Sequence, residues 1–424
     1  MFNCNLFNRR IYLDYASLTP IDPRVICEMR KFSSLRYANP SSLYKEGVSA
    51  KKSLSDGRSR VASFLRAHPS EVIFTSGGTE SNNLAILGTV ESLHEKGIDY
   101  EKMHIIISAI EHSSVRECAN YLGGKGVIVD TVSVDKNGII SLEELKKKLL
   151  PNTVVVSIMT VNNEIGSVQP IRDIAKMVRH YRNEIAEKSA SAFNFQDYQY
   201  PVFHTDASQA GLYEDLNVEK LGVDLLTLDG TKVYGPRGVG VLFIRRDTPI
   251  SPIIYGGGQE SGRRSGTENL PSIMGLAKAL DIAGAEREKE VVRIVGLKDY
   301  FISQLKVIKS DISVNGGESS SKCRFRSDEL QRTEANPAVT QSPHILNVFI
   351  PKIDNEFFVL QLDAKGICCS TKSSCLHDED ESYVLKSIGA DSKRSVRFSF
   401  GRWTTKRELK RAIKIISANL KKIS

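Results

Sequence analysis

Six short β-branched runs, at 72–75, 104–108, 153–159, 202–205, 224–228 and 239–244, constrain this chain most. Each is apolar nearly throughout, which suits a strand covered on both faces of a mostly parallel sheet. Amphipathic stretches such as 171–182 lie between them, and that alternation is the α/β pattern. Periodicity leaves a mixed α+β arrangement open as the alternative. With 424 residues, the chain has room for about two or three domains, each with its own core.

Polar residues cluster just past these runs: Ser76 to Glu80, His112, Asn162 to Glu164, Asp206 to Gln209, and Lys232. In open α/β sheets the ligand crevice lies outside the carboxyl ends of the strands, so one pocket would collect them all. After about residue 275 the texture changes to a long helical pattern over 282–308 and then a polar stretch over 315–342. The polar stretch reads as a surface loop or insertion, and 187–200 is a second insertion-like segment. At 406–423, Leu409, Ala412, Ile413, Ile416 and Leu420 share one helical face opposite lysines and arginines. This reads as a terminal helix packed on its own domain, with a basic membrane-surface helix as the alternative.

Composition narrows the function classes. The hydrophobic share of 41% and charged share of 25% are those of a globular protein, not a disordered or fibrous one. Fifty-eight Lys and Arg against 50 Asp and Glu leave +8, which favours anionic ligands but does not by itself argue for nucleic acid. The seven cysteines (Cys4, Cys27, Cys118, Cys323, Cys368, Cys369, Cys375) show no zinc-site spacing, so no metal is expected and a reducing compartment is. Residues 1–10 lack a hydrophobic leader core, and the apolar run at 153–161 is too short to span a bilayer, so the expectation is a cytoplasmic protein.

Three motifs carry chemistry. Ser76-Gly77-Gly78-Thr79-Glu80-Ser81-Asn82-Asn83 follows a strand and opens a helix-like segment. Its glycines let backbone amides approach a phosphate at a helix N-terminus; a plain glycine turn capped by Thr79 is the other reading, and the Gly-Lys-Ser/Thr ending of a P-loop is missing. Asp206 ends a strand in His204-Thr205-Asp206-Ala207-Ser208-Gln209, and Lys232 sits in Asp229-Gly230-Thr231-Lys232-Val233-Tyr234-Gly235-Pro236. A lysine for a Schiff base, an aspartate to keep a pyridine nitrogen protonated and a phosphate cradle are what pyridoxal 5'-phosphate requires.

These and further blocks make the chain resemble the cysteine desulfurases of the class V aminotransferase family, in the NifS/IscS-like group. The matching blocks include Tyr12-Leu13-Asp14-Tyr15-Ala16, Asn39-Pro40-Ser41-Ser42, Glu111-His112 and Val161-Asn162-Asn163-Glu164-Ile165-Gly166. Others are Gly256-Gly257-Gly258-Gln259-Glu260, Arg264-Ser265-Gly266-Thr267-Glu268-Asn269, Ser370-Thr371-Lys372-Ser373-Ser374-Cys375, and Arg397-Phe398-Ser399-Phe400-Gly401-Arg402. The resemblance implies the fold type I of pyridoxal phosphate-dependent transferases. A large, mostly parallel-sheet domain would span 16–270, and a smaller α/β domain 1–15 with 271–424.

It also implies roles. Lys232 would be the Schiff-base lysine, Asp206 the pyridinium partner, and His112 the ring-stacking residue and a candidate acid/base. Gln209 would donate to the cofactor's phenolate oxygen, and Asn163 would lie beside ring and substrate. Thr79, with the Gly78 and Thr79 amides, would bind the phosphate, and Thr267 would add a contact from the second subunit of a homodimer. Arg397 would clamp the substrate carboxylate with its bidentate fork. Cys375 would attack the substrate sulfur and keep it as a persulfide, since a thiolate is the side chain suited to that task. Cys368 and Cys369 read as strand residues, and Lys372 stands where the family commonly has Gly, with two readings: an ammonium that lowers the Cys375 thiol pKa, or a solvated side chain. The implied reaction converts L-cysteine to L-alanine and passes sulfur to an acceptor protein, for iron–sulfur cluster assembly or tRNA thiolation. The long segment from Cys375 to Gly389 resembles the group with an extended cysteine loop.

The chain departs from the family pattern at several places. Asp229 and Thr231 stand where Ser and His are common, and a carboxylate there repels a phosphate unless it turns away or meets a cation. Tyr44 replaces a frequent His after Asn39-Pro40-Ser41-Ser42, and no long tail follows the Arg402 motif, so scaffold docking through such a tail is not implied. Two other readings follow from the same residues: a selenocysteine lyase or other pyridoxal phosphate-dependent amino-acid lyase, and a catalytically weakened relative acting as a binding or assembly partner.

Overall fold

Adjacent residues of the central strands enter different cores. Ile105 and Ile107 pack with Val115, Ala119 and Leu122, while Ile106 between them joins the cluster containing Ile174 and Val178. Leu242 and Ile244 pack with Leu84 and Ala85, whereas Val241 and Phe243 face the larger cluster. Since successive side chains of a strand point to opposite faces, a sheet with helices on both sides explains why these runs are apolar throughout. Each such side chain contributes about 1.5–3 kcal/mol on burial.

The computed structural model describes residues 10–33, 37–187, 200–317, 341–371 and 381–423. A short strand β1 (Ile11–Tyr12) precedes helices α1 (Pro23–Ser33) and α2 (Lys45–Leu65). Strands and helices then alternate through β2 (Val72–Thr75), α3 (Gly78–His94), β3 (His104–Ser108), α4 (Ser113–Gly124), β4 (Ile128–Val132) and α5 (Leu142–Lys148). They continue with β5 (Thr153–Ser157), α6 (Ile171–Glu187), β6 (Val202–Asp206), α7 (Val218–Leu221), β7 (Leu225–Asp229) and β8 (Gly240–Ile244). Helix α8 (Leu270–Ile308) leads into β9 (Ser313–Asn315), β10 (Ile345–Phe349) and α9 (Asn355–Asp363). The remaining elements are β11 (Ile367–Cys368), α10 (Tyr383–Ser387), β12 (Ser395–Ser399) and α11 (Lys406–Ile423).

The large sheet has the order β2-β8-β7-β6-β5-β3-β4. Only β8 runs against its neighbours, so the carboxyl ends of the other strands meet along one edge. A second sheet, β12-β10-β9, is antiparallel, and β1 pairs in parallel with β11. Helix α8 links the two sheets: its first half buries Ile273, Leu276 and Leu280, and its second half sets Phe301 against Phe398 and Phe400 at 5.2 and 5.6 Å between ring centroids.

The α/β expectation holds, with local corrections. Strand β4 was not foreseen because it is a sheet edge: Ile128 is 46% exposed, and Asp130 and Thr131 interrupt the apolar pattern. Helix α8 starts at Leu270, well before the periodic stretch, capped by Asn269 Oδ1 accepting from the Ser272 amide. The polar stretch at 315–342 is anchored at both ends: Asn315 closes β9, while Gln341 and Ser342 are buried; residues 318–340 lie outside the described residues, as do 188–199 of the other insertion-like segment. Cys368 is in β11, but Cys369 follows it, half-buried, with its thiol pKa pushed up by desolvation. Helix α11 buries Leu409, Ala412, Ile416 and Leu420 and packs on α8 and α9, which favours the terminal-helix reading over a membrane surface. Among the described residues no helix is long and apolar enough to cross a membrane.

Candidate active site

The carboxyl edge of the large sheet opens into a cavity of about 180 Å³. Eight of the residues singled out in the sequence line it: Gly78 and Thr79 after β2, His112 after β3, Asn163 after β5, Asp206 and Gln209 at the end of β6, Lys232 after β7, and Arg397 from β12. Thr267 is exposed and lies outside this cavity. Cys375 and Lys372 lie outside the described residues.

Asp206 ends β6 with its carboxylate buried. Oδ1 accepts from the Ser208 amide at 2.9 Å, and Oδ2 accepts from Asn82 Nδ2 at 2.8 Å. Asn82 also donates to Ser114 Oγ at 2.8 Å, and Ser114 Oγ is 2.8 Å from His112 Nδ1. A polar chain thus runs from Asp206 through α3 to the start of α4, where His112 is the N-cap. His112 Nδ1 accepts from the Ser114 backbone amide at 3.2 Å, so the neutral ring carries its proton on Nε2.

Lys232 sits in a 3₁₀ turn after β7, and its Nζ donates to the Ser17 carbonyl at 2.5 Å. Two residues on, Tyr234 adopts φ +61°. Its hydroxyl accepts from the Arg402 amide at 2.6 Å, and its own amide donates to Thr19 Oγ1 at 2.8 Å. Arg397 is 1% exposed. It donates to the Asn163 carbonyl at 2.8 Å, to Asp14 Oδ1 at 2.9 Å and to Ser17 Oγ at 2.6 Å. Gln209 donates to the Ala16 carbonyl at 2.8 Å, and its Oε1 lies 3.2 Å from His344 Nε2.

Two buried groups beside the site have altered protonation. Burial pushes the Glu111 carboxyl up to about 8, although Ser108 Oγ and the Met159 amide both donate to it. Burial pushes His204, under Asp206 in β6, down to about 4. Both are neutral near pH 7.

Several contributors carried no role in the sequence reading. Asp14, Ser208 and Asn82 lie inside recognised blocks, and the phase of α3 turns Asn82 toward the sheet and leaves Asn83 outward. Ser17, Ser114 and His344 belong to no chemical motif. His344 reaches Gln209 only because β10 of the second sheet lies beside the cavity.

The model for aminotransferase class-V matches residues 11–412. Cysteine desulfurase IscS of Dictyoglomus turgidum is 36% identical over 98% of this chain and 95% of its own length. The mitosomal cysteine desulfurase of Trachipleistophora hominis is also 36% identical, covering 98% of this chain and 87% of that protein. A solved NifS-like protein superposes with a TM-score of 0.81 at 33% identity, over 97% of this chain and 99% of the other. By family match, end-to-end relatives and fold together, the chain belongs to the class-V aminotransferases, within their NifS/IscS-like cysteine desulfurase group.

Proposed function

We propose that this protein is a cysteine desulfurase that converts L-cysteine to L-alanine and holds the sulfur as a Cys375 persulfide for an acceptor in iron–sulfur cluster assembly or tRNA thiolation. The convergence of Lys232, Asp206, His112, Gln209 and Arg397 on one cavity carries this reading.

The residues present fit pyridoxal 5'-phosphate. Ser208 Oγ is a buried hydroxyl without a hydrogen-bond partner. It faces Gly78 so closely that a Cβ there would stand 3.1 Å from it, leaving a cradle for an anion at the start of α3. Lys232 would carry the cofactor, Asp206 would keep its ring nitrogen protonated, Gln209 would donate to its phenolate oxygen, and His112 would stack on the ring. Gly78, Thr79 and Ser208 would hold the phosphate, with Thr267 from a second subunit. When bound, the cofactor supplies an electron sink for the substrate Cα–H bond.

The protein's own groups do the rest. Arg397 meets the substrate carboxylate as a cation already oriented by Asp14, Ser17 and Asn163, and its buried Nε is a donor still without a partner. Ser114 holds His112 so that Nε2–H is the atom able to give a proton. Ser17 holds the Lys232 amine at the cavity wall. In the net reaction the bond between substrate Cβ and sulfur breaks and a sulfur–sulfur bond forms at Cys375. The proton displaced from the Cys375 thiol is balanced by the one that completes the methyl group of alanine.

Exposure of Thr267 supports a homodimer, since a residue serving a second copy must be free to reach it. The two sheets support the division into 16–270 and 1–15 with 271–424. Free Cys27, Cys118, Cys368 and Cys369 support a reducing compartment, and we place the protein in the cytoplasm. The test is alanine formation from L-cysteine with pyridoxal 5'-phosphate and a reductant, comparing the parent with Cys375→Ser and Lys232→Ala. Activity in the parent and loss in both variants is expected; no alanine from a folded, cofactor-loaded parent overturns the proposal.

A further inference from the structure

The carboxylate that the sequence places in the Lys232 turn does not point away from the phosphate loop. Asp229 Oδ2 accepts from the Gly78 amide at 3.2 Å, the backbone donor at the start of α3. The other oxygen is held in place by the Thr231 amide and the Thr231 hydroxyl, both at 2.7 Å. A Cβ on Gly78 would meet Asp229 Oδ2 at 3.2 Å and Ser208 Oγ at 3.1 Å, so the carboxylate and the unpartnered hydroxyl face the same small volume. The two departures from the family pattern are therefore one device: Asp229 takes the amide, and Thr231 locks Asp229.

We propose that Asp229 is an internal competitor of the cofactor's phosphate, occupying the Gly78 amide in the cofactor-free protein and making cofactor binding weak and exchangeable. This rests on the reading of the cavity as a pyridoxal 5'-phosphate site. One N–H cannot serve two anions in close contact, and like charges at this separation repel strongly in a partly buried cleft. The phosphate must displace Asp229 or bind beside it. In return, the Gly78 amide keeps an acceptor when no phosphate is bound.

Equilibrium dialysis of cofactor-free protein against pyridoxal 5'-phosphate tests this, with pyridoxal, which lacks the phosphate, as the second probe. Asp229→Asn keeps the shape and the acceptor for Thr231 without the charge; Asp229→Ser is the second variant should the first misfold. At least tenfold tighter binding of pyridoxal 5'-phosphate by the variant, with pyridoxal affinity unchanged, is the expected result. Equal or weaker binding by the variants, or an equal gain for pyridoxal, overturns the competitor role while leaving the cofactor reading in place. Binding of neither probe by parent or variants overturns the cofactor reading and this inference with it.

Discussion

The side-chain amide of Asn82 donates to the buried Asp206 carboxylate at 2.8 Å and is the link that ties β6 to α3. A buried carboxylate that loses a donor pays its desolvation without compensation. Asn82→Ala is expected to cost about 1–3 kcal/mol, read as a lower urea midpoint of the cofactor-free protein. Asn82→Asp should cost more at pH 8 than at pH 5, because two carboxylates in contact repel until one binds a proton. Identical losses at both pH values would count against a direct contact.

Arg397 uses both terminal nitrogens, toward Asn163, Asp14 and Ser17. Lysine keeps the charge but cannot reproduce the fork. Arg397→Lys is therefore expected to raise KM for L-cysteine by about tenfold or more, each tenfold being about 1.4 kcal/mol, with a smaller change in kcat. An unchanged KM would show that the substrate carboxylate is bound elsewhere.

Glu111 gives a pH dependence. Burial raises its carboxyl from an ordinary 4.5 to about 8, so the folded protein binds a proton that the unfolded chain has released between those values. The associated stability is fully present below about pH 4.5 and is lost as pH rises through about 8, on the order of a few kcal/mol. Denaturation midpoints at pH 6 and pH 8.5 should fall with pH in the parent and much less in Glu111→Gln. A parent and variant with the same slope would assign the effect to another group.

Gly240 shows how closely β8 passes the loop before α3: a Cβ there would stand 2.6 Å from the Gly77 carbonyl carbon and 2.7 Å from its Cα. Gly240→Ala is expected to cost about 1–3 kcal/mol and to weaken pyridoxal 5'-phosphate binding, because the backbone of the loop must shift. Gly296 in α8 meets nothing within 4 Å, so Gly296→Ala should instead stabilise by about 0.5–1 kcal/mol. Comparing the two melting midpoints checks both statements, and a neutral Gly240→Ala would mean that the loop yields freely.

Most of the sheet was legible because a strand covered on both faces must be apolar at every position. The 72–75 and 104–108 runs match β2 and β3 to the residue. The strand-end polar set was legible for a related reason, since it lies at or just past the ends of β2, β3, β5, β6 and β7, which share a direction; Arg397 comes instead from within β12 of the second sheet. Strand β4 escaped because an edge strand has one face in solvent and so mixes Asp130 and Thr131 with its aliphatics. The reversed direction of β8 escaped because an apolar run carries no sign of its polarity.

The sequence by itself determined the α/β alternation and the strand-end polar set, because these depend on local pattern and residue type. Only the tertiary structure decided which neutral groups complete the site. Asn82 and His344 become partners of Asp206 and Gln209 through contacts spanning 124 and 135 positions along the chain, and Asn82 reaches Ser114 across 32. The same holds for Asp229, whose charge was evident in the sequence and whose direction was not. A side chain's rotamer is chosen by the donors around it, and the Gly78 amide reaches Asp229 from 151 residues away.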